Sequence, residues 1–281
     1  MSYRPPGAAE SNVLVVAESV AVMASDKEQH QQRLSEETWF NALPVLDAPL
    51  NAAAFDQFSY VLAASEEGNW SVCSRNTRGE LQRVAIDFSS PSLLRRISPP
   101  RIGREAVVKA VIGRERRNKP IVLDATAGFG TDALLLAAAG CEVVAVERSP
   151  LLAFLWRQAL GNAQDTADDS LRAALSRLTF KEHDSMELLD NWALSWRPDV
   201  VYLDPMFPER SKSAAVKKGM QLLHELIGVD DDAADALLES AMRLASKRVV
   251  VKRSPTASVL AGRAPASSSK GKAARFDIYP L

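Results

Sequence analysis

An α/β fold is what this sequence of 281 residues predicts: a mostly parallel, doubly wound sheet preceded by a small α+β domain. Three observations predict it. From Pro120 onward, short apolar runs alternate with helical stretches, the pattern of βαβ units. One stretch, Val122-Leu-Asp-Ala-Thr-Ala-Gly-Phe-Gly-Thr-Asp-Ala133, leads a buried strand through a glycine-bearing turn into a helix, the opening unit of a nucleotide-binding sheet. Before residue 90 the pattern is different, with strand-like stretches divided by turn residues, as in an antiparallel meander.

Taken in order, residues 1–11 are rich in Pro, Gly and Ala and read as a frayed terminus. Asn12–Ala17 reads as a strand and Asp26–Thr38 as a surface helix or loop. Tyr60–Ser65, Trp70–Arg75 and Glu80–Phe88 read as strands, because Glu-Glu-Gly-Asn (66–69) and Asn-Thr-Arg-Gly (76–79) supply the turns between them. Residues 1–90 are therefore expected to form the small α+β domain, and residues 91–281 the larger one. Ser89–Gly103, with Pro91, Pro99, Pro100 and several arginines, reads as a linker, and Arg104–Ile112 as an amphipathic helix. Strands follow at Ile121–Ala125, Glu142–Glu147, Leu178–Glu182, Asp199–Leu203 and Arg248–Lys252. Helices are expected near 131–139, 150–163, 168–176, 185–195, 213–227 and 232–245. A Ser/Ala/Lys-rich loop (264–274) then leads to a last edge strand at Phe276–Tyr279.

Composition narrows the function classes. Hydrophobic content of 47% with 25% charged residues is that of an ordinary globular chain. No apolar run approaches the roughly 20 residues of a membrane span, and the first residues lack a secretory layout, so the cytoplasm is expected. Cys73, Cys141 and three histidines form no metal-ligand spacing, so no metal is expected. The net charge of −1 hides an asymmetry: residues 1–90 hold 6 basic and 12 acidic side chains, and residues 91–281 hold 28 and 23. Nine of those basic residues fall within Arg95–Lys119, against only Glu105 and Glu115. Such a cluster suits phosphate, although a solvated helix face accounts for it equally well.

The chemistry sits at the strand ends. Gly128 and Gly130 allow close approach of backbone to a ligand. Asp124 ends the first strand, where it can orient that turn or accept from an ammonium group. Glu147 ends the second, 17 residues after Gly130, the place where an acidic residue meets the ribose hydroxyls of an adenosine-containing cofactor. Asp184 and Ser185, after the third strand, suit an adenine amino group and also suit a helix cap. The fourth strand delivers Asp204-Pro-Met-Phe207 to the same edge. This resembles the (Asp/Asn)-Pro-Pro-(Phe/Tyr) motif of methyltransferases acting on exocyclic or amide nitrogens, with Met206 in place of the second proline. In that chemistry Asp204 and the Pro205 carbonyl accept the two N–H bonds of a poorly nucleophilic amino group, and Phe207 stacks on the base. A nicotinamide oxidoreductase is the competing reading of the glycine turn, but it leaves Asp204-Pro-Met-Phe unexplained.

Several blocks together are similar to one bacterial family, the small-subunit ribosomal RNA guanine-N2 methyltransferases designated J. They are Arg104-Glu-Ala-Val-Val-Lys-Ala-Val111, Asp124-Ala-Thr-Ala-Gly-Phe-Gly-Thr-Asp132, Glu147-Arg-Ser-Pro150, Val201-Tyr-Leu-Asp-Pro-Met-Phe-Pro208, Lys247-Arg-Val-Val-Val-Lys-Arg253 and Arg275-Phe-Asp-Ile-Tyr279. The resemblance covers about residues 81–281 and is loose before them. It implies a Rossmann-like class I methyltransferase fold and S-adenosyl-L-methionine as methyl donor. It implies a guanosine near the 3′ end of 16S ribosomal RNA, free or in the small subunit, as acceptor. It also implies cofactor contacts at Thr131 and Asp132, Glu147 and Arg148, Asp184 and Ser185, and Asp204; the residues alone do not single out Thr131 or Arg148. Lys217, Lys218, Lys252 and Arg253 flank the expected catalytic edge and, with the Arg95–Arg117 cluster, are candidates to hold RNA. A monomer is expected. The rivals are an amino-nitrogen methyltransferase acting on adenine or a glutamine amide, and a non-catalytic RNA-binding protein.

Overall fold

The computed structural model describes residues 20–23, 43–46, 55, 58–65, 68–76, 78–113, 118–205, 231–271 and 274–281. The chain divides into two compact units, with the main division between Ile86 and Asp87. The first holds a five-stranded sheet of order β2-β1-β3-β4-β5. Its strands are β1 (Val20–Met23), β2 (Val45–Leu46), β3 (Tyr60–Ala64), β4 (Trp70–Arg75) and β5 (Leu81–Val84). β3, β4 and β5 form the expected antiparallel meander, whereas β1 pairs parallel with both β2 and β3. The strand expected at Asn12–Ala17, the stretch Asp26–Thr38 and the helix expected near 213–227 lie outside the described residues.

The second unit is built on a seven-stranded sheet of order β11-β12-β10-β9-β6-β7-β8. Its strands are β6 (Ile121–Asp124), β7 (Glu142–Glu147), β8 (Leu178–Glu182), β9 (Val200–Leu203), β10 (Arg248–Arg253), β11 (Ser267–Lys270) and β12 (Arg275–Pro280). β8, β7, β6, β9 and β10 run parallel, and β12 and β11 are added antiparallel. The sheet is therefore mostly parallel, as the alternation of elements predicts. Strand order reverses between β6 and β9, and ligands of open α/β sheets lodge outside the carboxyl ends of the strands at such a point. Val249, Val250 and Val251 of β10 are fully buried, as befits strands covered on both faces.

Eight helices can be traced among the described residues: α1 (Pro91–Ile97), α2 (Pro99–Ile102), α3 (Ala106–Ile112), α4 (Thr131–Ala138), α5 (Pro150–Ala163), α6 (Asp169–Leu175), α7 (Ser185–Asp190) and α8 (Asp231–Leu244). Every residue from Ala133 to Ala137 of α4 is fully buried, so this helix is core on all sides rather than amphipathic. α8 is the opposite case. It buries Ala234, Leu237, Leu238, Ala241 and Leu244 along one stripe against Leu123, Val201, Leu203, Val249 and Val251 of the sheet. Each buried leucine there contributes about 1.5–3 kcal/mol.

Three expectations need correction. Ser89–Gly103 is not a linker but two short helices. Pro91 and Pro99 each stand at a helix start after Ser90 and Ser98, where a proline costs no hydrogen bond, and Leu93 and Ile97, one turn apart, are buried. The helix expected at 185–195 stops at Asp190: Asn191 departs from helical geometry (φ −111°, ψ 34°). The Trp192 indole then donates to the Trp196 carbonyl at 2.6 Å, closing a separate turn. The loop expected at 264–274 contains β11, so Arg275–Pro280 is an interior strand. No apolar pattern announces β11, whose four residues are all exposed; backbone pairing with β12 and the Gly271 N–H to Ala274 carbonyl bond of 2.7 Å define it.

Candidate active site

Strand register brings the chemistry-bearing residues to one edge. Asp124 is the last residue of β6 and lies opposite Tyr202 of β9, so Asp204 emerges just beyond it. The Asp204 backbone N–H donates to the Thr126 hydroxyl at 2.6 Å, which stitches the end of β9 to the turn after β6. The Thr126 N–H in turn donates to Asp124 Oδ1 at 3.1 Å. Asp204 and the glycine turn thus share one hydrogen-bonded corner, and Pro205 follows directly. Met206, Phe207 and Pro208 lie outside the described residues, as do Arg114, Arg116, Arg117, Lys217 and Lys218.

The two glycines of the turn do different work. Gly130 is left-handed (φ +74°) and caps α4, and a Cβ there would stand 2.2 Å from Cζ2 of Trp156. Gly130 is therefore needed for packing. Gly128 (φ +52°) is also left-handed, but a Cβ on it would meet only the Thr126 carbonyl oxygen, at 3.9 Å. Among the described residues no other atom lies within 4 Å of that position, and a glycine there lets backbone approach a ligand closely. Trp156, on α5, is fully buried. Its indole N–H donates to the Gly128 carbonyl at 2.7 Å, its ring stacks on Phe180 at 4.7 Å, and it meets Phe88 edge-on at 5.1 Å. Glu147, at the end of β7, accepts from the Gly128 N–H at 3.0 Å. The turn is held from below by an indole and from the side by a carboxylate.

At the end of β8, Asp184 caps α7 by accepting from the Glu187 N–H at 3.0 Å, with Arg148 at 3.9 Å from its other oxygen. The Ser185 hydroxyl donates to the Ala125 carbonyl at 2.5 Å, tying this end to β6. Thr131 is the first residue of α4. The expected residues Asp124, Gly128, Gly130, Thr131, Asp132, Glu147, Asp184, Ser185, Asp204 and Pro205 all fall at this edge, and Arg148 reaches it through Asp184.

The edge also holds a polar cluster that sequence reading missed. Lys252, beyond the last β9–β10 pair at Val251 and Leu203, donates to Asp132 Oδ2 at 2.8 Å and to Asp204 Oδ2 at 2.7 Å. The Tyr202 hydroxyl donates to the same Asp132 oxygen at 2.7 Å. Three carboxyl groups, Asp124, Asp132 and Asp204, gather around one ammonium. Burial pushes the Asp124 carboxyl up to about 8, and the charges of Asp132 and Asp204 add to the effect. Burial also raises the Asp204 carboxyl, while Lys252 pulls it back down. Burial alone would lower the Lys252 ammonium, yet Asp204 and Asp132 together carry it above the ordinary lysine value. Lys252 and Arg253 were candidates to hold RNA; instead Lys252 is committed to two carboxylates, and Arg253 is buried with its Nε bonded to the Ser258 carbonyl at 3.1 Å. The available signal was a charged pair ending an otherwise buried valine strand. Nothing in the sequence marks Trp156.

Known proteins share this chain's pattern. The family described as "Putative SAM-dependent methyltransferase" matches residues 53–281. The ribosomal RNA small subunit methyltransferase J of Pseudoalteromonas atlantica is 47% identical over 200 residues, which is 70% of this chain and 76% of that protein. The protein of the same name from Stutzerimonas stutzeri is 46% identical over 178 residues, 63% of this chain and 67% of its own. The crystal structure of a SAM-dependent methyltransferase from Neisseria gonorrhoeae aligns with a TM-score of 0.67 at 28% identity, covering 93% of this chain and 96% of that one.

Proposed function

The chain belongs to the ribosomal RNA small subunit methyltransferase J family, and from that premise we infer that it moves a methyl group from S-adenosyl-L-methionine to 16S ribosomal RNA, at the exocyclic N2 of a guanosine near the 3′ end. One observation carries the reading. Asp204 and the glycine turn meet in a single corner at the switch point of the sheet, joined by the Asp204 N–H to Thr126 hydroxyl bond. The nicotinamide reading falls with the family assignment.

The residues present fit the cofactor. It carries a sulfonium and an ammonium, and this corner holds three carboxyls against one lysine. Gly128 carries no side chain to intrude, and among the described residues only the Thr126 carbonyl oxygen, at 3.9 Å, would meet one. In this reading Gly128, Gly130, Thr131 and Asp132 cradle the donor from the turn. Glu147 takes the ribose hydroxyls, since a carboxylate already accepting from Gly128 has further acceptor capacity. Asp184, Ser185 and Arg148 face the adenine side, and Asp124 the ammonium. Bound there, the cofactor supplies an electrophilic methyl group.

The acceptor is a weak nucleophile because its lone pair is delocalised into the ring. Asp204 and the Pro205 carbonyl accept its two N–H bonds, which localises the lone pair and aims it, and alignment of this kind supplies much of the rate. On transfer the nitrogen would release one N–H proton, which the Asp204 carboxylate would take and pass to water. Phe207 stacks on the base, worth about 1–3 kcal/mol. A base inside a helix must be unstacked first, so a loop or helix end is the easier target. The exposed Arg95, Arg101 and Arg104 hold the RNA backbone. Residues 1–90 act as a separate α+β domain and residues 91–281 as the methyltransferase domain. The protein works in the cytoplasm, without a metal, as a monomer.

The test is tritium transfer from labelled S-adenosylmethionine to 16S ribosomal RNA and to small subunits from a strain lacking the gene, with mass mapping of the product. N2-methylguanosine is expected. Label in DNA adenine or in a glutamine amide would overturn the substrate, and failure to bind the cofactor would overturn the whole reading.

A further inference from the structure

Lys252 stands where no RNA phosphate is needed to explain it. Its strand contributes three fully buried valines, Val249–Val251, to the sheet, and an ammonium at the end of such a strand is costly unless paired. The pairing it finds is specific: one bond to Asp132 Oδ2 and one to Asp204 Oδ2, at 2.8 and 2.7 Å. The second bond occupies one carboxylate oxygen of Asp204 and leaves Oδ1 for another partner. A third of the Asp204 side chain remains exposed, so that partner can come from the cleft.

We propose that Lys252 is a positioning residue for methyl transfer: by holding Asp204 Oδ2 it sets a positive charge against that carboxylate and leaves Oδ1 for the incoming amino group. The proposal rests on the reading of Asp204 given above. The need for a cation follows from the neighbours. Asp204 is faced by Lys252 from β10, by Asp132 from α4 and by Asp124 from β6, with Tyr202 on its own strand. Arg96, on α1, is engaged with Glu105 at 3.1 and 2.9 Å and only adds its field at Asp132. Without Lys252, a buried carboxyl, Asp124, and two partly buried ones, Asp132 and Asp204, would face one another with no ammonium among them. The charge that offsets the burial of Asp204 would then be gone, favouring its protonated form, and a protonated carboxyl can neither accept two charge-assisted bonds nor take the proton released by the nitrogen.

The experiment compares K252M and K252Q, which remove the charge, with K252R, which keeps it at all accessible pH. K252Q retains a donor for the carboxylates and guards against a variant that does not fold. With 16S ribosomal RNA as substrate, both neutral variants should lose about 10²-fold or more in kcat at neutral pH. The acid limb of their kcat profile should move upward by about one to three pH units, so that activity recovers in alkali. K252R should keep the limb of the native enzyme. S-adenosylmethionine affinity by calorimetry should stay level or tighten in the neutral variants, because removing a cation does not disfavour a cationic ligand. An independent readout is carbon-13 NMR titration of the aspartate carboxyls, with D204N assigning the Asp204 signal; its midpoint should rise in K252M and K252Q and not in K252R. An unmoved midpoint or limb overturns the proposal. A native protein that binds the cofactor but leaves 16S ribosomal RNA unmodified overturns the functional reading instead, while the NMR titration still decides the role of Lys252.

Discussion

Asp124 is nearly inaccessible to solvent and its carboxyl is pushed up to about 8, so its proposed place beside the cofactor's ammonium predicts pH-dependent cofactor binding. In the unfolded chain the group titrates near about 3.9. A raised folded value means that its contribution to stability is fully present below that unfolded value and is lost as pH rises through about 8. The free protein should therefore melt at lower temperature at alkaline pH, and Asp124→Asn should flatten that dependence. A cationic ligand favours the ionised carboxyl, so S-adenosylmethionine should bind more tightly as pH rises through the same range, with proton release visible by calorimetry in buffers of different ionisation enthalpy. A second prediction concerns Asp204. Its replacement by Ala leaves Lys252 still bonded to Asp132, so no buried charge is stranded and the fold should survive. Methyl transfer should fall by about 10²–10⁴-fold while cofactor binding remains measurable; full activity would remove Asp204 from its assigned role. Glu147→Ala, by contrast, should weaken cofactor binding by about 1.5–3 kcal/mol, the range for a hydrogen bond to a charged group.

At the scale of elements, the turn between β6 and α4 would join stability to binding in the proposed site, and its two glycines should separate them. Gly130→Ala adds a methyl 2.2 Å from the Trp156 ring in a left-handed residue, so overpacking of about 1–3 kcal/mol is added to backbone strain of about 1 kcal/mol. Among the described residues, Gly128→Ala meets only the Thr126 carbonyl oxygen at an ordinary contact distance of 3.9 Å, so thermal melting should show a smaller loss and calorimetry a larger one. The reverse order would mean that the turn faces inward at Gly128. Much of this unit was legible, because parallel strands and their helices leave periodic apolar runs: β7, β8 and α5 match the expected bounds residue for residue. What was illegible has no such pattern. α1 and α2 hide behind prolines that look like a linker until seen as helix starts, and β11 is specified by its neighbour's backbone. Among site residues, the acids at strand ends were legible because topology alone places them. The Lys252 bridge and the Trp156 prop were not, since both depend on packing between elements distant in sequence.

For the whole molecule, the excess of basic residues after residue 90 predicts a salt-dependent grip on RNA. Arg95, Arg101 and Arg104 are exposed, whereas Arg96 is spent on Glu105. Affinity for 16S ribosomal RNA should fall with added salt, and each Arg→Ala change among the three should reduce the logarithmic slope by about 0.7 if it touches a phosphate of single-stranded RNA. A slope unchanged in the triple variant would assign the RNA grip to other residues. Among the described residues no helix is long and apolar enough to cross a membrane, and no group of three or more side chains is placed to hold a metal ion. The exposed serines and lysine of β11 have a last consequence. An open strand border invites a second chain to zip on, and this border offers Ser267, Ser268, Ser269 and Lys270 with no greasy surface to reward the docking. The opposite border, β8, carries exposed Lys181 and Glu182. Among the described residues, both hems of this sheet thus end in polar side chains that discourage edge-to-edge pairing.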